Sequence, residues 1–231
     1  MREELAPLQR HWKLELTGPG DFYCGRWAGM RIQVALSGVG QQRAQVACRE
    51  LLRYGAPDLL VSFGYSGGLR PELRAGDCIV ADSIKDSQGN VFSPPRPSSM
   101  ELHGDGWLRG QLLCVETLAQ SGQSKRELAL QHPESWAVDM ESAVLARVAQ
   151  EAGIPWRSLR VIVDPIDQSL PIRFHRCMGS NGQTHPAKLA REILTSPHRW
   201  HSLVKFAGLH QSAQESLVRN SSRFLEALTP W

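Results

Sequence analysis

The sequence predicts a single α/β domain, 1–231, with a central mixed, mostly parallel sheet flanked by helices. Short apolar runs bounded by Gly, Asp or Pro recur along the chain, and amphipathic helical patterns fall between them. Two glycine-rich segments follow such runs, at the strand ends where open parallel sheets bind ligands. With 231 residues, 42% of them hydrophobic, the chain can bury a sizeable core.

The predicted strands are residues 31–36, 58–63, 78–81, 136–138 and 159–163. A helix over 41–54 gathers Ala44, Ala47, Cys48, Leu51 and Leu52 on one face, and a helix over 141–152 gathers Val144, Leu145, Val148 and Ala149. Residues 85–106 read as a long polar, Pro-rich loop suited to the edge of an active site. The tail, 186–231, reads as a helical extension: helices over 186–193, 199–209 and 213–228, broken at Ser196-Pro197 and around Gly208. Leu217, Phe224, Leu225 and Leu228 form an apolar stripe that fits the core or a dimer partner. The alternative is a membrane-surface contact through Arg199, Trp200, Lys205 and Phe206.

Charge excludes several functions. Lys and Arg number 26 against 23 Asp and Glu, scattered along the chain, so nucleic acid is not the expected partner. No apolar run approaches the about 20 residues of a membrane span, and the charged start (Met1-Arg2-Glu3-Glu4) is unlike a signal peptide. A cytoplasmic protein is expected. Cys24, Cys48, Cys78, Cys114 and Cys177 lack metal-ligand spacing and read as reduced, mostly core residues. His198 and His201 have no nearby carboxylate and read as solvated, so neither metal nor organic cofactor is expected.

Four segments carry chemistry. Ser37-Gly38-Val39-Gly40 ends a strand and opens a helix, so backbone can approach a ligand while helix N–H groups favour polar atoms. Its spacing does not fit a dinucleotide fingerprint. Phe63-Gly64-Tyr65-Ser66-Gly67-Gly68-Leu69 reads as a second glycine-rich turn. In Val138-Asp139-Met140-Glu141-Ser142, Glu141 either complements a helix dipole or accepts both hydroxyls of a ribose, with Met140 as a soft apolar wall. Asp164, after the apolar run that follows Arg160, would be partly desolvated, which suits a proton donor; as an Asp before Pro it can also simply turn the chain.

These motifs, in this order and spacing, resemble the methylthioadenosine/S-adenosylhomocysteine nucleosidase and purine nucleoside phosphorylase superfamily over residues 1–170. Ser169-Leu170-Pro171 and the helical tail are similar to the hopanoid-associated branch, implicated in removing adenine from adenosylhopane. The resemblance implies Asp164 as the acid that protonates the purine ring nitrogen, with Arg160 positioning it. It implies Glu141 on the ribose hydroxyls, Met140 against the sugar, and Gly38, Gly64, Ser66 and Gly67 in the binding turns. Met1-Arg2-Glu3-Glu4 resembles the family's Met-Glu-Glu-Glu stretch, which implies Glu4 as the base for water. A homodimer is implied too, because the superfamily often completes its pockets across a subunit interface.

Three departures qualify the resemblance. The family's first strand precedes the Met-Glu-Glu stretch and nothing precedes it here, so the expectation is either an internal start site or a sheet that lacks that edge of its pocket. Ser62 stands where the phosphorylases carry an arginine for phosphate, which favours water as acceptor. Tyr65 replaces a small residue and is expected to narrow the acceptor site or hydrogen-bond the sugar. Phosphorolysis and a noncatalytic nucleoside-binding protein stay open as alternatives.

Overall fold

A computed structural model describes residues 2–17, 21–95, 106–171 and 200–228. Helix α1 (Arg2–His11) leads into a three-stranded antiparallel sheet of β1 (Glu15–Leu16), β2 (Phe22–Trp27) and β3 (Met30–Ala35). The β2–β3 hairpin turns at Ala28-Gly29, both at positive φ (47° and 80°), as a two-residue turn that follows strand twist requires. This turn lacks the Asn-Gly or Asp-Gly signal, which is why only β3 of the hairpin was legible.

Helix α2 (Gln41–Arg53) then precedes β4 (Leu60–Gly68), β5 (Cys78–Asp86), β6 (Val91–Phe92), β7 (Leu108–Cys114), α3 (Gly122–Gln131), β8 (Ser135–Asp139), α4 (Ser142–Glu151) and β9 (Trp156–Asp164). The last described element is α5 (Trp200–Ala227). The large sheet has the order β6-β5-β7-β8-β4-β9, and β9 also pairs with β5, so five of its strands close into a ring. Parallel pairing joins β4–β9, β5–β7 and β7–β8; antiparallel pairing joins β4–β8, β5–β9 and β5–β6. The sheet is mixed, as expected, and the β1–β3 sheet is separate from it.

Two cores sandwich the ring. On one side α4, buried along most of its length, packs with Leu60, Ile84, Leu112 and Ile162. On the other, Leu5, Leu8 and Trp12 of α1 join Val80, Leu159, Val161 and the α5 residues Leu217, Phe224, Leu225 and Leu228. The apolar stripe of the tail therefore covers the sheet. The Trp12 indole N–H donates to the Ser222 hydroxyl at 3.0 Å and ties α1 to α5.

Three expectations are corrected. The segments 199–209 and 213–228 are one uninterrupted helix over Trp200–Ala227 rather than two. An interior glycine such as Gly208 costs only about 1 kcal/mol, which the burial of the helix's second half outweighs. The segment 186–193, like His198, Arg199 and Cys177, lies outside the described residues. The supposed loop at 85–106 begins as strand: β5 runs on to Asp86 and β6 pairs back onto it. Finally, Gly64–Gly68 is strand and not turn, because its backbone pairs with β9 and, at its end, β8. The four described cysteines, Cys24, Cys48, Cys78 and Cys114, are free thiols.

Gly110 in β7 lies under Trp136, and a Cβ there would sit 2.4 Å from the indole ring. Gly110→Ala should therefore destabilise the fold by about 1–3 kcal/mol through overpacking, read as a lowered midpoint in urea denaturation.

Candidate active site

The carboxyl ends of β4, β8 and β9 meet the start of α1 and the turn before α2, and this junction holds nearly every singled-out residue. The chain from β3 turns through Gly38 (φ 70°) and Gly40 (φ 101°), conformations that favour glycine. Gly40, the N-cap of α2, has no side chain to cap the helix; its N–H donates instead to Glu141 Oε1 at 2.7 Å. Glu141 is itself the N-cap of α4 but makes no cap hydrogen bond from its side chain. Asp139 does that work: its carboxylate accepts from Ser142 N–H (3.2 Å to Oδ2) and from the Ser142 hydroxyl (2.8 Å to Oδ1). The Glu141 carboxylate is thus directed away from its own helix, towards the α2 turn.

Arg160 and Asp139 form a buried ion pair, Nε to Oδ2 at 2.6 Å. The guanidinium also donates to the Ser62 hydroxyl at 2.7 Å and to the Leu159 carbonyl. Burial, then the neighbouring Asp139, push the Glu141 carboxyl above its usual range, while the Gly40 N–H and Arg160 pull the other way.

Glu4 reaches this cluster from α1. Its Oε1 accepts from Tyr65 N–H at 3.1 Å, and a Cβ on Gly64 would lie 3.0 Å from that same oxygen and 3.6 Å from Arg160 Nη1. Gly64 is required because two charged side chains cross its backbone. Tyr65 points the other way, into the core that α1 and α5 share, where its ring meets His210 edge-on at 5.3 Å. Ser66 is buried, and its hydroxyl has no hydrogen-bond partner among the described residues.

Asp164 closes β9 beside Gly67, whose added Cβ would come within 3.4 Å of Asp164 Oδ2. Its carboxyl is buried and pushed up to about 6 by desolvation, with the ammonium of Lys125 opposing the rise. The ion pair that holds Asp164 comes from Lys125 Nζ, at 2.7 Å, and the hydrogen bonds of Arg160 go elsewhere. The expected role of Arg160 as the partner of Asp164 is thus corrected. Arg160 points back along β9 to Asp139 at the end of β8, while Asp164 lies against α3.

Lys125 and the structural role of Asp139 were missed by sequence reasoning. The only available signal for α3 was Ser121-x-x-Ser124, which forms a capping box at its start. Met140 is half-buried at the β8–α4 junction, next to Glu141. Among the described residues no cluster of three or more His, Cys, Asp or Glu could hold a metal ion. Nor is any described helix long and apolar enough to cross a membrane.

A closed mixed sheet with helices on both faces, and a carboxylate-rich cluster at its strand ends, define the class. The chain belongs to the phosphorylase superfamily, which its residues 1–123 and 102–195 match. Among curated proteins it is 27% identical over 169 residues to the 5′-methylthioadenosine/S-adenosylhomocysteine nucleosidase of Baumannia cicadellinicola, covering 64% of this chain and 74% of that protein. It is 26% identical over 197 residues to the same nucleosidase of Tolumonas auensis, covering 75% and 84%. Among solved structures it superposes on the Campylobacter jejuni 5′-methylthioadenosine/S-adenosyl homocysteine nucleosidase with a TM-score of 0.69 at 14% identity, covering 99% of this chain and 95% of the other. The Neisseria meningitidis nucleosidase, in complex with methylthio-immucillin-A, gives 0.63 at 20%, covering 96% of each. These likenesses in structure establish the fold.

Proposed function

We propose that the protein is an N-glycosyl hydrolase that releases adenine from an adenine nucleoside, with water as the acceptor. The observation that carries this reading is a pair of carboxyls in contrasting surroundings along one strand. Asp164, buried against Gly67, has its pKa raised to about 6 and can arrive protonated. Glu4 stands at Gly64 and Tyr65. Gly64 and Gly67, which these two carboxyls approach, stand three residues apart on β4, about 10 Å along the strand. Leaving-group protonation on one side and activation of water on the other are what an oxocarbenium-like transition state demands.

In this reading Asp164 protonates the purine ring nitrogen, and the electron pair of the breaking C–N bond passes to the purine. Glu4 takes a proton from the attacking water. Glu141 accepts the ribose hydroxyls, Met140 packs against the sugar, and the backbone at Gly38 and the hydroxyl of Ser66 contribute to binding. Arg160 keeps Asp139 in place at the floor of the cluster.

Water is favoured over phosphate because the acceptor region is anionic. Glu4 and Asp139 are acidic, and the guanidinium of Arg160 is engaged by Asp139, Ser62 and Leu159. Among the described residues a dianion there would meet repulsion from Glu4 and Asp139, while the Arg160 guanidinium is already engaged. The names of the nucleosidase relatives support the same substrate class.

The test is adenine release from methylthioadenosine and from adenosylhopane, each with and without inorganic phosphate. Release is expected without phosphate, with free ribose rather than ribose 1-phosphate as co-product. Strict dependence on phosphate would establish phosphorolysis, and tight binding of both nucleosides with no release would mark a noncatalytic binding protein. The more rapidly cleaved nucleoside identifies the group on the 5′ carbon. Sedimentation checks the expected homodimer, and flotation with liposomes checks the alternative of a membrane-surface contact.

A further inference from the structure

Lys125 has no place in the scheme above, yet it is among the largest fully buried side chains of the described residues. Its ammonium donates to Asp164 Oδ2 at 2.7 Å, to the Asp164 carbonyl at 3.0 Å, to the Pro165 carbonyl at 2.6 Å and to the Gln168 carbonyl at 2.7 Å. Four acceptors crowd a group with three protons, so the ammonium has little freedom to turn. Burying a lysine at no exposure is costly unless its charge is paired and its protons are used.

We propose that Lys125 is a positioning residue for the reaction, one that fixes the Asp164 carboxyl at the leaving group and neutralises it once its proton has gone. This inference rests on the reading of Asp164 as the general acid.

Two lines of argument, one of geometry and one of charge, support it. The four bonds fasten one ammonium to the end of β9 and the turn after it, and α3 is stapled to that turn at further points. Gly122 N–H donates to the Ser169 hydroxyl at 3.1 Å, Leu170 N–H to the Gln120 carbonyl at 2.8 Å, and a Cβ on Gly122 would lie 2.9 Å from the Asp167 carbonyl oxygen. The Asp164 carboxyl thus hangs from a rigid frame. Charge supplies the second line. When the Asp164 proton moves to the purine nitrogen, a carboxylate is left in a buried site, and without Lys125 that anion would be uncompensated. Lys125 makes Asp164 a stronger acid at the moment of transfer, and burial alone would make it a weaker one.

The charged groups around the pair are few. Lys125 faces Asp164 from α3 and also feels Asp167, which is itself paired with Arg126 at 2.6 Å. On the β8 and β9 side, Arg160 and Asp139 neutralise each other.

The experiment compares wild type with Lys125→Met and Lys125→Arg on an adenine nucleoside and on 4-nitrophenyl riboside, whose leaving group departs unprotonated. Lys125→Met should lower kcat on the adenine nucleoside about 100-fold, while 4-nitrophenyl riboside stays within about threefold of wild type. The alkaline limb of kcat should move up by about one pH unit or more in Lys125→Met, because the opposing ammonium is gone, and return towards its wild-type place in Lys125→Arg. Equal losses on both substrates, or an unmoved limb, would overturn the inference while leaving the acid role of Asp164 intact. A wild type that releases no adenine would instead sink the functional reading itself.

Should Lys125→Met fail to fold, difference infrared spectra of carboxyl-labelled wild type against Asp164→Asn decide the matter. An Asp164 carboxylate is expected at pH 8, and a carboxyl still protonated there would overturn the inference.

Discussion

Asp164→Asn should reduce adenine release by about 10³–10⁴-fold with little change in KM, because a general acid acts in the transition state and not in ground-state binding. An amide holds nearly the same volume and can still accept from Lys125, so the substitution removes the transferable proton and little else. The wild-type pH profile supplies the companion result. The acid must be protonated to function, and its pKa is raised to about 6 by burial against the pull of Lys125. Activity set by the free enzyme should therefore hold below that value and fall tenfold per unit as pH rises well beyond it. A profile flat through pH 5–8, or a mutant that keeps wild-type kcat, would remove Asp164 from this role.

Glu4→Gln should cost about 10²–10³-fold in kcat on the adenine nucleoside, the scale of a general base in a hydrolysis. The glutamine side-chain carbonyl can still accept from Tyr65 N–H, so nucleoside affinity should change little. Binding and catalysis thus separate: isothermal titration with the nucleoside should give similar affinities for the two proteins, and only turnover should drop. Azide or formate should restore part of the activity if the loss is that of a base. An unrescued variant with weakened binding would instead assign Glu4 to holding the substrate.

Most of the central sheet was legible because β4, β5, β8 and β9 each contain an apolar run that periodicity detects, and α2 and α4 follow from their amphipathic faces. What escaped detection has physical reasons. Strand β2 (Phe-Tyr-Cys-Gly-Arg-Trp) contains a glycine because a Cβ at Gly25 would lie 2.8 Å from the Trp12 carbonyl oxygen, so its composition hides its role. Strand β7 begins beside a polar stretch and carries Gly110 for the sake of Trp136. Helix α3 is too polar to show a stripe, since the residue it buries most deeply is a lysine.

The site shows the same division. Glu141 and Asp164 could be singled out because each sits at an element's end, whereas Glu4 and the role of Arg160 came only from the resemblance of their motifs. Their pairing could not: which cation serves Asp164 depends on α3 crossing the turn after β9, a long-range contact with no local trace. At Gly64 the need for glycine comes from the Glu4 and Arg160 side chains that cross it, in a strand and not in a turn.

The ring of β5, β7, β8, β4 and β9 closes only when Cys78 pairs with Val161, far apart in the chain. Such non-local closure is slow to form, and once formed it leaves no strand that can peel away without opening its neighbours. Asp164, Lys125, the Arg160–Asp139 pair and Glu4 are all held by contacts to this one hoop. In amide exchange the backbone of these strands should open together, so the molecule has no partly unfolded form in which half of the site survives.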